Sequence, residues 1–288
     1  MTASKTLFHQ SVLLAELIRF LDPKMGQDFI DATVGIGGHA LAILSKTEPT
    51  GRILGIDWDD KALGHLQKKN HPCLILREGN FAEIEQIARE SGFQKVEGVY
   101  FDLGLGSWQI EEPEYGLSFQ KEMPLLMRVA PEGPSAAEIV NRYSLKQLTQ
   151  ILRDYGDLRS ARLIAGRIVK ARKRKKLQTT LDLKEAVAVK HPAVLARIFQ
   201  AIRIATNNEL ENLKKGLAGA VNLLQKKGRL AVISYHSGED RIVKRFFQEQ
   251  MKKGVLKILT PKPIQQKKEE VKMNKRARSA KLRVAEKI

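Results

Sequence analysis

Cysteine is almost missing from this chain: Cys73 is the only one in 288 residues. A single thiol closes no intrachain disulfide and builds no thiolate metal cage. It lies in the apolar run Cys73-Leu74-Ile75-Leu76 and reads as a small strand residue packed inward. The six histidines show no metal-ligand spacing, so no metal is expected. No apolar stretch reaches the length of a membrane span, and the opening MTASKTLFHQ has no apolar signal core. A cytoplasmic protein with no membrane partner is therefore expected. Aromatic residues make up only 6%, which leaves few positions for stacking on a base.

Acidic residues are also in deficit, 32 against 50 Lys and Arg, for a net charge of +18. Such an excess repels itself unless a polyanion offsets it, and nucleic acid is the natural candidate. The surplus is concentrated in two places. Residues 261–288 hold ten basic and three acidic residues, and Lys170 to Lys176 read KARKRKK. Two separated basic segments suit a phosphate backbone better than a small anion. The charged tail from about Pro261 is expected to become ordered only against RNA or against the protein itself.

A strand–helix rhythm runs through the first hundred residues. Leu13, Leu14, Leu17, Ile18 and Leu21 share one helical face, and Pro23 follows. Phe29 and Ile30 lead a strand to Asp31, and Ile53 to Ile56 lead one to Asp57. Leu74 to Leu76 form a third strand, and Val96 to Phe101 a fourth that ends at Asp102. The alternation predicts an α/β fold with a parallel sheet and helices on both faces. From Glu111 to Gly133 the chain is irregular and proline-rich. Helical patterns follow at 145–155, 160–175, 183–190 and 193–204, with no obvious strand. An apolar stripe at Leu210, Leu213, Leu217, Val221 and Leu224 closes at Gly228, and a strand at 230–235 resumes the α/β pattern. Residues 1–113 and 206–288 are therefore expected to form one α/β domain, with 114–205 as a helical insert.

Asp31-x-x-x-Gly35-x-Gly37-Gly38 lies between a strand end and a helix, where glycines let backbone approach a nucleoside. Asp57, at the end of the next strand, is placed to accept two ribose hydroxyls. Gly35-x-Gly37-x-x-Ala40 also fits the dinucleotide pattern, so an NAD-dependent oxidoreductase is one alternative. Three acids at three strand ends, Asp31, Asp57 and Asp102, favour a cationic cofactor instead, because a carboxylate beside the glycines repels a pyrophosphate.

Several stretches resemble one known family. They are HQSVLL (9–14), DATVGIGGH (31–39), GNF (79–81), DLGLGSWQ (102–109), FQAIRIATNNEL (199–210), ISYHSGEDRIVKRFF (233–247) and NKRARSAKLR (274–283). Together they are similar to the RsmH (MraW) methyltransferases, which methylate the exocyclic amine of a cytidine in the decoding region of small-subunit ribosomal RNA. The resemblance implies a Rossmann-like fold with a helical domain inserted after the fourth strand, and S-adenosylmethionine as cofactor. It implies a cofactor site of Gly37, Gly38, His39, Asp57, Phe81, Asp102 and Gln109, to which the strand-end and glycine-loop reading above adds Asp31 and Gly35. The partner it implies is small-subunit rRNA or the assembled small subunit; the oligomeric state is left open.

For catalysis, Asp102, or else a backbone carbonyl in Leu103 to Gly106, is expected to accept a hydrogen bond from the target amine, with Ser234 and His236 flanking the base. Arg128, Arg203 and Lys244 are expected to contact phosphates. The sequence departs from the family at Gly106-Ser107-Trp108, at Tyr115, and at Leu126 where a carboxylate is usual. A SAM- and RNA-binding assembly factor with weakened or lost catalysis is the second alternative.

Overall fold

The computed structural model describes residues 11–129 and 133–288; His9 and Gln10 of the first motif, and Pro131, lie outside them. The chain forms two compact units, one of Leu105–Glu209 and one of the flanking segments up to Gly104 and from Leu210.

The flanking segments build an eight-stranded sheet between two layers of helices. In chain order the elements are α1 (Leu14–Leu21), β1 (Phe29–Asp31), α2 (Gly38–Thr47), β2 (Ile53–Asp57), α3 (Asp60–Gln67), β3 (Leu74–Glu78), α4 (Ile84–Glu90) and β4 (Val96–Asp102). Within Leu105–Glu209 come α5 (Ser107–Glu111), α6 (Ala136–Arg142), α7 (Leu145–Asp154), α8 (Ala161–Arg172), α9 (Thr180–Val187) and α10 (Pro192–Asn207). The sheet unit resumes with α11 (Glu209–Leu223), β5 (Leu224–Ser234), α12 (Ser237–Lys252), β6 (Leu256–Ile258), β7 (Ile264–Gln265), α13 (Lys268–Met273) and β8 (Lys281–Lys287).

The strand order is β3-β2-β1-β4-β5-β8-β6, with β7 also on β8. The first five strands are parallel, and β8 runs antiparallel to β5. Successive side chains leave a strand on opposite faces. Accordingly Ile30, Leu54, Val99 and Phe101 pack with Leu213 and Leu217 of α11, whereas Phe29, Ile53 and Tyr100 pack with Leu17 of α1 and Leu44 of α2. Both faces are covered, as a parallel sheet requires, and the central strands β1 and β2 are apolar up to their closing acids.

In Leu105–Glu209 the described residues contain no strand, only an isolated bridge between Pro124 and Thr179. The helices bury Ile139, Leu148, Leu152, Ile168, Leu183 and Ile202 in a core of their own. Three of them start on capping boxes: Ser135 with Glu138, Ser144 with Gln147, and Thr179 with Asp182.

The basic tail takes the second of its two expected courses. It is ordered against the protein itself, and its last strand lies inside the sheet between β5 and β6. Leu282 and Val284 face the α1–α2 side and Ala285 the other, all fully buried. Arg283 is also buried, because its guanidinium meets Asp240 of α12 at 2.7 Å. β5 starts six residues earlier than its apolar run suggests, at Leu224. No helix among the described residues is long and apolar enough to cross a membrane.

Candidate functional site

The sheet order reverses at β1, whose neighbours are β2 on one side and β4 on the other. At such a reversal an α/β sheet generally receives its ligand, beyond the carboxyl ends of the strands. Asp31, Asp57 and Asp102 are the last residues of β1, β2 and β4 and stand along that one edge.

The glycine loop is folded onto Asp57. The Gly35 N–H donates to Asp57 Oδ2 at 2.8 Å, and the Asp59 N–H donates to Oδ1 at 3.1 Å. Each oxygen keeps lone-pair capacity for another donor. Burial pushes the Asp57 carboxyl up to about 6, against the pull of those two N–H groups. Gly37, which caps α2, has φ +83°, and a Cβ there would stand 2.5 Å from Leu66. Its N–H donates to the Val34 carbonyl at 2.8 Å. The amides of both Gly35 and Gly37 are thus taken by protein acceptors, and a pyrophosphate would have to displace them.

Asp31 is buried at 2% exposure. Burial raises its carboxyl to about 8, although the Thr33 N–H donates to Oδ1 at 3.1 Å, and the charges of Asp102 and Asp57 push it the same way. It therefore holds a proton at neutral pH unless a cation arrives to replace it. His39, in the first turn of α2, is buried too. Its Nε2 lies 2.9 Å from the Val12 carbonyl, an acceptor only, so that nitrogen carries the hydrogen. Nδ1 then faces Asp102 Oδ2 at 3.7 Å, beyond a hydrogen bond.

Asp102 is held at both ends. Its backbone N–H donates to Thr33 Oγ1 at 2.7 Å, and the Tyr235 hydroxyl donates to Oδ1 at 2.8 Å. A side chain at Gly104 would collide with the Tyr235 ring at 2.8 Å, so the glycine permits this approach. Phe81, in a helical turn after β3, stands edge-on to Phe101, with centroids 5.6 Å apart, and Trp58 tilts toward it at 6.4 Å. Trp58 directly follows Asp57 and is half-buried. The pair forms an apolar wall beside the Asp57 carboxylate.

The remaining expected residues have local roles. Ser234 is buried, its Oγ 3.4 Å from the Lys281 carbonyl. His236 caps α12, Nδ1 accepting from the Gly238 and Glu239 N–H groups at 3.2 and 3.4 Å. Glu239 returns the favour through the backbone N–H groups of Tyr235 and His236. Gln109, in α5 of the helical unit, accepts from the Gly106 N–H at 2.9 Å. Of the expected phosphate ligands, Lys244 is exposed on α12, Arg128 donates to the Gly133 carbonyl at 3.1 Å, and Arg203 is bidentate on Glu209 at 2.8 and 2.9 Å. Sequence reasoning passed over Trp58, Thr33 and, as a partner of Asp102, Tyr235. Only Trp58 carried a local signal, its place beside the strand-end acid.

Comparison with known proteins adds a family. The profile of the MraW methylase family matches residues 6–288. A ribosomal RNA small subunit methyltransferase H of Carboxydothermus hydrogenoformans is 42% identical, over 97% of this chain and 98% of its own. One of Persephonella marina is also 42% identical, over 97% and 99%. Among solved structures, an rRNA-methylase from Clostridium thermocellum shares the fold with a TM-score of 0.50 at 16% identity, over 98% of this chain and all of its own.

Proposed function

This chain belongs to the MraW methylase family, and from that premise we propose that it methylates the exocyclic N4 amine of a cytidine in the decoding region of small-subunit rRNA, with S-adenosylmethionine as donor. The observation that carries the reading is the row of three carboxyl groups on one sheet edge, beside a glycine loop whose amides are already used. That donor set suits a ligand with a ribose and a positive charge and opposes a pyrophosphate, which removes the NAD alternative.

The residues fit this donor group by group. Asp57 has acceptor capacity left for two ribose hydroxyls. Phe81 and Trp58 offer an apolar wall to a purine ring. Asp31 is a buried carboxyl whose ionisation a cation would restore. Gly37, Gly38 and His39 open α2 beside it. S-adenosylmethionine supplies, when bound, a methyl group on a positively charged sulfur.

The protein's task is to hold and orient. A cytosine amine is a poor nucleophile because its lone pair is delocalised into the ring. Asp102 accepts a hydrogen bond from that amine and turns the lone pair toward the methyl group. Tyr235 fixes the carboxylate for this task and Thr33 the Asp102 backbone, and Ser234 and His236 hold the chain after β5 against β8 and α12. The exposed cations of Lys170–Lys176, together with Lys244, hold the RNA backbone without reading bases.

The test is methyl transfer to small subunits that lack the modification, followed by mass spectrometry of the digested nucleosides. N4-methylcytidine at one site is expected, and Asp102→Ala abolishes it while most RNA affinity remains. A chain that binds donor and RNA but yields no methylated nucleoside is an assembly factor instead.

A further inference from the structure

The carboxyl edge of the sheet does not end at Asp102. Beyond β4 come β5 and then β8, and where β5 ends and β8 begins there is a cleft of about 290 Å³. It is lined by Tyr235, His236 and Ser237 on one side and by Gln265 and the segment Arg278 to Lys281 on the other. No acidic side chain lines it. Two cations do, Arg278 and Lys281, together with the Ser237 and Ser279 hydroxyls.

These cations are available to different degrees. Lys281 Nζ is 3.4 Å from Asp240 Oδ2, but Asp240 is already paired with Arg283 at 2.7 Å. Burial raises the Asp240 carboxyl, yet Arg283 and Lys281 together hold it below the usual range. One carboxylate thus faces two cations, and a unit of positive charge is left over. Arg278 is exposed, and its guanidinium has no partner among the described residues. Its backbone is fixed all the same, because Gln266 Nε2 donates to its carbonyl. An anchored backbone, a free planar fork and hydroxyl donors around a cleft form a receptor for an oxyanion.

Position says which oxyanion. Tyr235 lines this cleft and reaches Asp102 with its hydroxyl at 2.8 Å, so a single side chain joins the two places. Asp102 and Lys281 are two strands apart on one edge, roughly 10 Å at the usual strand spacing. That is comparable with the reach of a nucleotide from its base to its phosphate. The edge is polar in the electrostatic sense: acids on β2, β1 and β4, cations at β8. We infer that the cleft between the start of α12 and Arg278–Lys281 is a phosphate subsite, holding an RNA backbone phosphate next to the cytidine presented to Asp102. The inference rests on the RNA methylation reading above.

The experiment uses the full chain and small subunits rebuilt around rRNA that carries one uncharged methylphosphonate linkage, walked past the methylated cytidine. One adjacent linkage is expected to raise KM about tenfold, the equivalent of one charge-assisted hydrogen bond. Arg278→Gln raises KM by a similar factor on natural subunits, with kcat and donor affinity unchanged, and Arg278→Lys recovers part of the loss. In Arg278→Gln the neutral linkage then costs clearly less than in the native chain, Lys281 being the cation that remains. If the two losses multiply instead, the phosphate lies elsewhere and the inference falls. If Arg278→Gln weakens donor binding, the cleft holds the donor's carboxylate and the inference falls as well. A native chain that methylates no RNA overturns the reading beneath it, whatever Arg278 does.

Discussion

The two most basic segments look alike in sequence and have opposite fates in the fold. In Lys170–Lys176 the backbone leaves α8 into a turn, and Lys173, Arg174, Lys175 and Lys176 are exposed. The tail holds more basic residues in all, ten against six, yet its last seven-residue strand is paired on both sides in the sheet. The difference lies between the charges: Leu282, Val284 and Ala285 supply buried surface within β8, whereas Arg172 to Lys176 are five cations in a row. Formal charge on a sequence is therefore a poor guide to free charge on the surface. Even in the exposed run, Arg172 donates to the carbonyls of Val140 and Tyr143 at 2.8 and 2.7 Å, and Lys175 pairs with Asp182 at 2.9 Å.

The largest expected effect attacks the tail. Val284→Asp places a carboxylate among apolar side chains in mid-sheet and should cost at least about 4 kcal/mol, enough to unfold a marginal domain. A melting temperature within a few degrees of the native chain would mean that β8 is dispensable.

Next comes an acid whose formal charge is equally misleading. Asp31 has its carboxyl raised to about 8 in the fold, against an ordinary value of 3.8 when unfolded. The folded state thus binds this proton better. The group costs nothing below pH 4, and its cost grows as pH rises from there to about 8. Asp31→Asn should stabilise the free protein by on the order of a few kcal/mol above pH 8 and not at all near pH 4. Denaturant titrations at the two pH values check this, and an equal gain at both would exclude the assigned ionisation. The same variant should bind S-adenosylmethionine less well, having lost the anion that faces the cation.

The smallest effects split the exposed run itself. Arg172→Ala should destabilise by about 2 kcal/mol through two lost charge-assisted hydrogen bonds. Neutralising Lys173, Arg174 and Lys176 together should change stability by less than about 0.5 kcal/mol. That triple change should lower the slope of log affinity against log salt by about 2 for a single-stranded RNA. If the slope stays and only stability changes, the run is a structural face and not an RNA contact.

Strands β1, β2 and β4 were legible because they are short, largely apolar runs that stop at an acid. Asp31, Asp57 and Asp102 could be placed from that pattern alone. β8 was not legible, since Arg283 looks solvated until Asp240 is seen beside it, 43 residues away in sequence. α6 falls between the irregular stretch that ends at Gly133 and the first helical pattern at 145, although Ser135 and Glu138 spell its capping box. In the site, the link from Tyr235 to Asp102 joins residues 133 apart in sequence, and no local pattern announces such a contact.

The buried tail strand also decides where the molecule can be cut. A trypsin-like protease recognises Lys and Arg, and by sequence the stretch from Lys275 to Lys287 offers it six sites, as many as Lys170 to Lys176. Such an enzyme must draw an extended piece of backbone into its own cleft. β8 cannot be drawn out without opening the sheet on both sides, so its scissile bonds appear only when the whole unit opens. The turn after Arg172 needs no such opening, so the first cut is expected there, and mass mapping of the earliest tryptic fragments checks it.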